Sequence, residues 1–197
     1  MEIKKYEFTE ETLEHNGHIL HRIKSLRDFG NIKAGQLGGW IEKEENLSHE
    51  DTCWAYQNAK VYDNAVVKDN AKVFGEAMVF GYANIGGNAM VFGEAMVFGY
   101  ANIGGNAMVC GGADVCGDAM IVGGAVIRET KDYAVFKNTW SSGRFFTWTR
   151  SNNMWRVGCF YGTGEALIAK AYKDSELSGK CYEAIVQAQN RISELLK

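Results

Sequence analysis

Apolar positions in the middle of this chain recur with a period of six, in two phases. Alanine stands at 59, 65, 71, 77, 83, 89, 95, 101, 107, 113, 119 and 125. Two residues after each comes Val or Ile, from Val61, Val67 and Val73 through Ile85 and Ile103 to Ile121 and Ile127. Residues two apart on a short strand point to one side, and a side made only of Ala and Val/Ile is an interior. Two residues further on stand Asp63, Asp69 and then glycine from Gly75 to Gly123. These are corners, where residues that tolerate positive φ belong.

Residues 73–90 (VFGEAMVFGYANIGGNAM) return unchanged as 91–108, so a larger beat of eighteen contains three of the shorter units. Three strands and three corners close a triangle, and each coil hydrogen-bonds to the next at about 4.8 Å. Going backwards, Cys53, Leu47 and Ile41 hold the alanine phase, so irregular coils begin near Trp40. Residues 41–128 then give about five coils, a rod of roughly 24 Å.

An aliphatic residue followed four positions later by a small one (Val61 with Ala65, Val73 with Ala77, Ile85 with Ala89, on to Ile121 with Ala125) resembles the hexapeptide-repeat superfamily. The resemblance implies a left-handed parallel β-helix with three hexapeptides per coil. The expected class is an all-β solenoid with a small C-terminal α+β module. Its parts are an N-terminal piece over 1–40, the β-helix over 41–128 and the module over 129–197. A second resemblance, to hexapeptide-repeat proteins of phages and prophages, rests on Arg27-Asp28-Phe29-Gly30 through Gly38-Gly39-Trp40-Ile41-Glu42.

At the N-terminal end, Asn16-Gly17 between alternating segments predicts a tight hairpin. After Ile127 the beat stops. Strands are expected over 133–162, with a hairpin at Ser151-Asn152-Asn153, and helices over 165–173 and 179–196. In the second helix Cys181, Ile185, Ala188, Ile192 and Leu195 fall on one face, which predicts the packed side.

Composition narrows the classes. The 197 residues carry a net charge of −3, against general nucleic-acid binding, which needs clustered Lys and Arg. No apolar run is long enough to cross a membrane, and Met1-Glu2-Ile3-Lys4-Lys5 lacks the apolar stretch of a signal peptide. A cytoplasmic protein is expected, in the host cytosol if phage-encoded. Five cysteines (Cys53, Cys110, Cys116, Cys159, Cys181) without CxxC spacing read as free thiols. With no proline and 23 glycines, turns fall to Gly, Asn and Asp.

The outward positions are unusual. Sorted by eighteen, one wall carries Lys60, Tyr62, Met78, Phe80, Met96, Phe98, Asp114 and Cys116. A second carries Lys72, Phe74, Met90, Phe92, Met108 and Cys110, and the third Val66, Lys68, Asn84, Gly86, Asn102, Gly104, Met120 and Val122. Apolar stripes of this size are not left wet on a soluble monomer. Fully burying Met78, Phe80, Met96 and Phe98 contributes roughly 6–12 kcal/mol. The terminal segments have chain enough to cover one stripe, so the other predicts a homo-oligomer, a dimer or trimer.

Candidate chemistry is sparse. The superfamily resemblance brings in acyl transfer from coenzyme A, which in those enzymes needs a histidine base beside a loop leaving the coil. Here the hexads run from 57 to 128 without insertion, and His15, His18, His21 and His49 all precede them. His49 falls in the inward Val/Ile phase. His15 and His18 pair across the hairpin while His21 points to the opposite face, so three ligands are not assembled; no metal and no cofactor is expected. Cys159 reads as a packed thiol. The repeated glycines do not lead into a helix, as a phosphate loop requires.

The module holds Trp140, Trp148 and Trp155 with Arg144, Arg150 and Arg156. Trp and Arg are enriched at binding hot spots. Arg144, Trp148, Arg150, Trp155 and Arg156 are therefore the candidate partner- or ligand-binding residues, and Met78, Phe80, Met96, Phe98, Phe74, Met90 and Phe92 the candidate interface. The expected function is a non-catalytic scaffold, phage- or prophage-encoded, whose end module engages a protein partner. That partner is a host protein, such as a defence component that it blocks, or another virion protein. The alternatives are nucleotide sequestration, with the arginines on phosphate and Trp148 or Trp155 stacked on a base, and acyl transfer.

Overall fold

The computed structural model describes residues 4–196; Met1–Ile3 and Lys197, at the outer ends of the two expected end pieces, lie outside them. The chain is a left-handed parallel β-helix with a small antiparallel sheet and two helices at its C-terminal end. Each coil contributes three two-residue strands, such as Met78–Val79, Asn84–Ile85 and Met90–Val91. They pair in parallel eighteen residues apart: Met78 with Met96, Asn84 with Asn102, Met90 with Met108. Every Ala and Val/Ile of the two phases is fully buried, as the period of six dictates.

The corners show why their residue type changes along the rod. Gln57, Asp63 and Asp69 have φ of 54°, 56° and 56°, and the glycines stacked on them are positive too, at 74°, 68° and 63°. Each of the three reaches across one coil to accept a glycine N–H: Gln57 from Gly75 at 2.9 Å, Asp63 from Gly81 at 3.1 Å, Asp69 from Gly87 at 2.7 Å. Further along, glycine is required by space. A Cβ at Gly87 would lie 2.8 Å from the Gly105 nitrogen.

The first coil departs from the expected phase. Cys53 is buried in the alanine phase, but Ile41 pairs with Val61 and Leu47 bridges Val67. Both hold the Val/Ile position, because Ser48–Thr52 contains two residues more than a regular corner. The extra residues carry His49 out of the interior. Its ring stacks on Tyr6 at 4.3 Å and its Nδ1 accepts the N–H of Lys5 at 3.1 Å.

The N-terminal hairpin (Tyr6–His15 and His18–Ser25) has the expected register, His15 opposite His18 and Leu13 opposite Leu20. Asn16 and Gly17 both have positive φ, as an Asn-Gly turn requires. Its second strand pairs with Leu37–Ile41, which continues into the first wall. Below it, the buried Lys5 ammonium donates to the carbonyls of Glu50 and Cys53 at 3.0 and 2.9 Å and lies 3.2 Å from the Cys53 sulfur. Burial holds its pKa below the usual lysine range.

The last coil would expose backbone N–H groups along its edge. Hydroxyls from the following chain accept one on each wall: Tyr133 from Cys116 at 3.2 Å, Thr147 from Met120 at 2.9 Å, Ser151 from Val126 at 2.7 Å. The antiparallel sheet that supplies them runs through Tyr133–Lys137, Phe145–Thr149, Met154–Val157 and Phe160–Gly162. Helices α1 (Gly164–Asp174) and α2 (Glu176–Leu195) follow, capped by the Thr163 and Ser175 hydroxyls.

The packed face of α2 shares Ile185 with the expected one and otherwise differs from it. Gly179, Val186 and Gln189 are buried, and Tyr182 and Ile185 pack on the sheet. A Cβ at Gly179 would lie 2.2 Å from the Tyr172 ring, so glycine sets the close approach of α1 and rotates the helix. Ala188, Ile192 and Leu195 are left exposed, Leu195 by 71%.

Candidate functional site

The two apolar walls are the most extensive unusual surface. On the first, Tyr62, Phe80 and Phe98 stack at 5.1 and 4.9 Å with rings 4° from parallel, and on the second Phe74 and Phe92 stack at 4.8 Å. Met78 and Met96 sit in register on the first wall, Met90 and Met108 on the second. The eighteen-residue repeat at coil spacing makes these ladders. The N-terminal segment reaches their N-terminal ends, and Tyr133 meets the first wall one coil beyond Phe98, at Asp114 and Cys116. The hairpin turn buries Tyr62, with the His18 ring at 5.0 Å, and Asn31 accepts from the Tyr56 hydroxyl at 3.1 Å. Phe80, Phe98, Phe74, Phe92, Met78, Met96 and Met90 remain half-buried by one another. Covering the first wall's four would then contribute about half the full-burial figure, about 3–6 kcal/mol.

The five expected partner residues do not form one site. Trp148 and Trp155 are cross-strand neighbours in the module's interior, 3% and 1% exposed. The Trp148 indole N–H donates to Asn153 at 2.8 Å. Neither indole is offered to a stacked base, because both pack with Phe146, Val157, Leu167 and Val186 in the module's core. Arg150 lies over Trp148 and 3.7 Å from Asp132, and Arg156 donates to the Cys159 carbonyl at 3.5 Å. Arg144 is exposed at the opposite end of the Phe145–Thr149 strand from Arg150, lining a groove with Lys170, Asp174 and Tyr182.

A cluster that sequence reasoning missed gathers at the hairpin turn. His18 faces Glu42 through Nδ1 at 2.9 Å and Asp63 through Nε2 at 3.3 Å. Its pKa is raised, first by the hydrogen bond to Glu42 and then by the charges of Glu42 and Asp63. Burial pushes Glu42 up, but the hydrogen bonds from His18 and the Asp63 amide outweigh it and leave the carboxyl below its usual range. His15 packs edge-on against Tyr62 at 5.6 Å, and His21 stacks on Phe8 at 4.9 Å. The three histidines therefore do not converge, as the strand alternation requires. The five cysteines are all unpaired, and Cys159 is exposed, not packed. No helix among the described residues is long and apolar enough to cross a membrane.

No protein-family model matches the chain. It is similar to an Escherichia coli (strain K12) protein named uncharacterized acetyltransferase YdcK, with 45% identity over 42 residues. That stretch is 21% of this chain and 13% of the E. coli protein. The likeness therefore concerns a short segment of both.

Proposed function

We propose that this chain is a non-catalytic β-helix scaffold that self-associates through its Met/Phe walls and offers its end module to a protein partner. The observation that carries this reading is the pair of aromatic ladders, Tyr62–Phe80–Phe98 and Phe74–Phe92, whose phenylalanines are half-exposed on coils that run from Trp54 to Ile127 without a side loop. A symmetric oligomer is the common way to cover such a surface. On the module, Arg144 and the exposed α2 residues Leu177, Ile192 and Leu195 are the groups free to meet a partner. The likeness of residues 27–42 to phage and prophage proteins supports a phage setting, in which a host protein is the partner.

The test is the mass in solution. Light scattering should give a multimer for the parent and a lower mass for Phe80→Asp with Phe98→Asp. A monomeric parent overturns the reading.

Acyl transfer is the second reading, favoured by the 42-residue likeness to a named acetyltransferase. Against it, all four histidines precede the regular coils, and the His49 side chain, stacked on Tyr6, is only 12% exposed. Thiol release from acetyl-CoA in the presence of amine or sugar acceptors, above the no-protein background, would establish this reading in place of the first.

A further inference from the structure

The cluster of His18, Glu42 and Asp63 is used by neither reading. Its three residues come from separate elements: the second hairpin strand, the residue after Leu37–Ile41, and the corner after Lys60–Val61. One ligand atom from each lies within 4.8 Å of the other two. The carboxylates are held by the fold before any ion arrives. Glu42 Oε2 accepts the Asp63 N–H at 2.7 Å, and Asp63 Oδ2 accepts the Gly81 N–H at 3.1 Å. That leaves Glu42 Oε1 and Asp63 Oδ1, and both face the same imidazole.

We propose that His18 and one of its two carboxylates, Glu42 or Asp63, bind one divalent transition-metal ion of the Zn²⁺, Co²⁺ and Mn²⁺ class while the other carboxylate orients the ring, tying the N-terminal hairpin to the first two coils. An imidazole nitrogen with a carboxylate oxygen suits these ions, whereas an all-oxygen shell suits Mg²⁺ or Ca²⁺. The imidazole binds the ion through one nitrogen. Its other N–H stays on the remaining carboxylate, which fixes the ring's orientation as outer-shell carboxylates do in metal sites. The side chains are 28%, 27% and 32% exposed, so solvent reaches the cluster and completes the coordination. Without an ion, a proton on each nitrogen satisfies the same two contacts. Ion and proton compete for one lone pair, and titration with metal separates the two cases.

The full-length protein is titrated with Co²⁺, whose absorption distinguishes ligand types: the free cysteines would add an intense thiolate band, whereas His18, Glu42 and Asp63 would not. The expected result is one equivalent bound with no thiolate band, a raised Tm, and affinity at least about tenfold weaker in His18→Asn and Glu42→Gln. Mn²⁺ should broaden the His18 ring signals in NMR before those of His21 or His49, a readout on the parent that stands even if a variant fails to fold. No binding at millimolar Co²⁺, a thiolate band, or unchanged affinity in both variants overturns the site.

Discussion

The carboxylate of Asp69 accepts the backbone N–H of Gly87, one full coil further along, at 2.7 Å. Asp63 does the same for Gly81 and Gln57 for Gly75, so in each column a side chain holds the first glycine. Replacing Asp69 by Gly keeps the left-handed conformation and loses the acceptor, a cost of about 1 kcal/mol. Asp69→Ala loses the same acceptor and keeps a Cβ at positive φ, which glycine relieves, a difference of about 1–2 kcal/mol. Equilibrium denaturation should rank Asp69→Gly above Asp69→Ala in stability; the reverse order contradicts this account.

Gly87 should tolerate no side chain. Its φ is 63° and a Cβ would lie 2.8 Å from the Gly105 nitrogen and 2.9 Å from its oxygen. Both are backbone atoms in a ladder that cannot swing aside. Gly87→Ala is expected to cost upwards of about 2 kcal/mol, beyond the conformational penalty of about 1–2 kcal/mol alone. A Tm within a degree or so of the parent would mean that the corners yield more easily than their stacking implies.

Thr147→Val tests the closure of the C-terminal end. The methyl that replaces the hydroxyl leaves the Met120 N–H without its acceptor at 2.9 Å, and an unsatisfied buried donor costs about 1–3 kcal/mol. Hydrogen exchange should accelerate at Met120 while Met96, bonded to the Ala113 carbonyl within the coils, keeps its protection. Equal protection at both amides in the variant would show that the hydroxyl is dispensable.

Removing residues 91–108 should leave a folded protein. The excised segment duplicates 73–90, so the new junction repeats contacts already present. The far-UV circular dichroism should keep its β-helical shape, with cooperative melting at a lower temperature. Loss of cooperative melting would mean that the two ends communicate through more than adjacent coils.

Legibility followed locality. The interior phases and the hairpin register could be read because a period of six or two is a local property. The first coil could not, since two extra residues in Ser48–Thr52 shift Ile41 and Leu47 by one phase without changing their apolar character. On α2, Cys181 through Leu195 offered one apolar face, while Gly179 against Tyr172 turned another inward. Trp148 and Trp155 have the composition of a binding surface and the position of a core, and composition alone does not separate these. The His18 cluster joins residues 21 apart and more, brought together by coil stacking that leaves no local pattern.

The closed ends bear on what a rod of this kind can become. Each interior coil hydrogen-bonds to its two neighbours, and the plugs touch the coils nearest each end, His18 reaching as far as Asp63 in the second. Gain or loss of an eighteen-residue unit would therefore move the hairpin and the helical module apart or together by about 4.8 Å, with both surfaces otherwise unaltered. The molecule is a ruler graduated in single coils, and the duplicated 73–90 and 91–108 look like two of its marks.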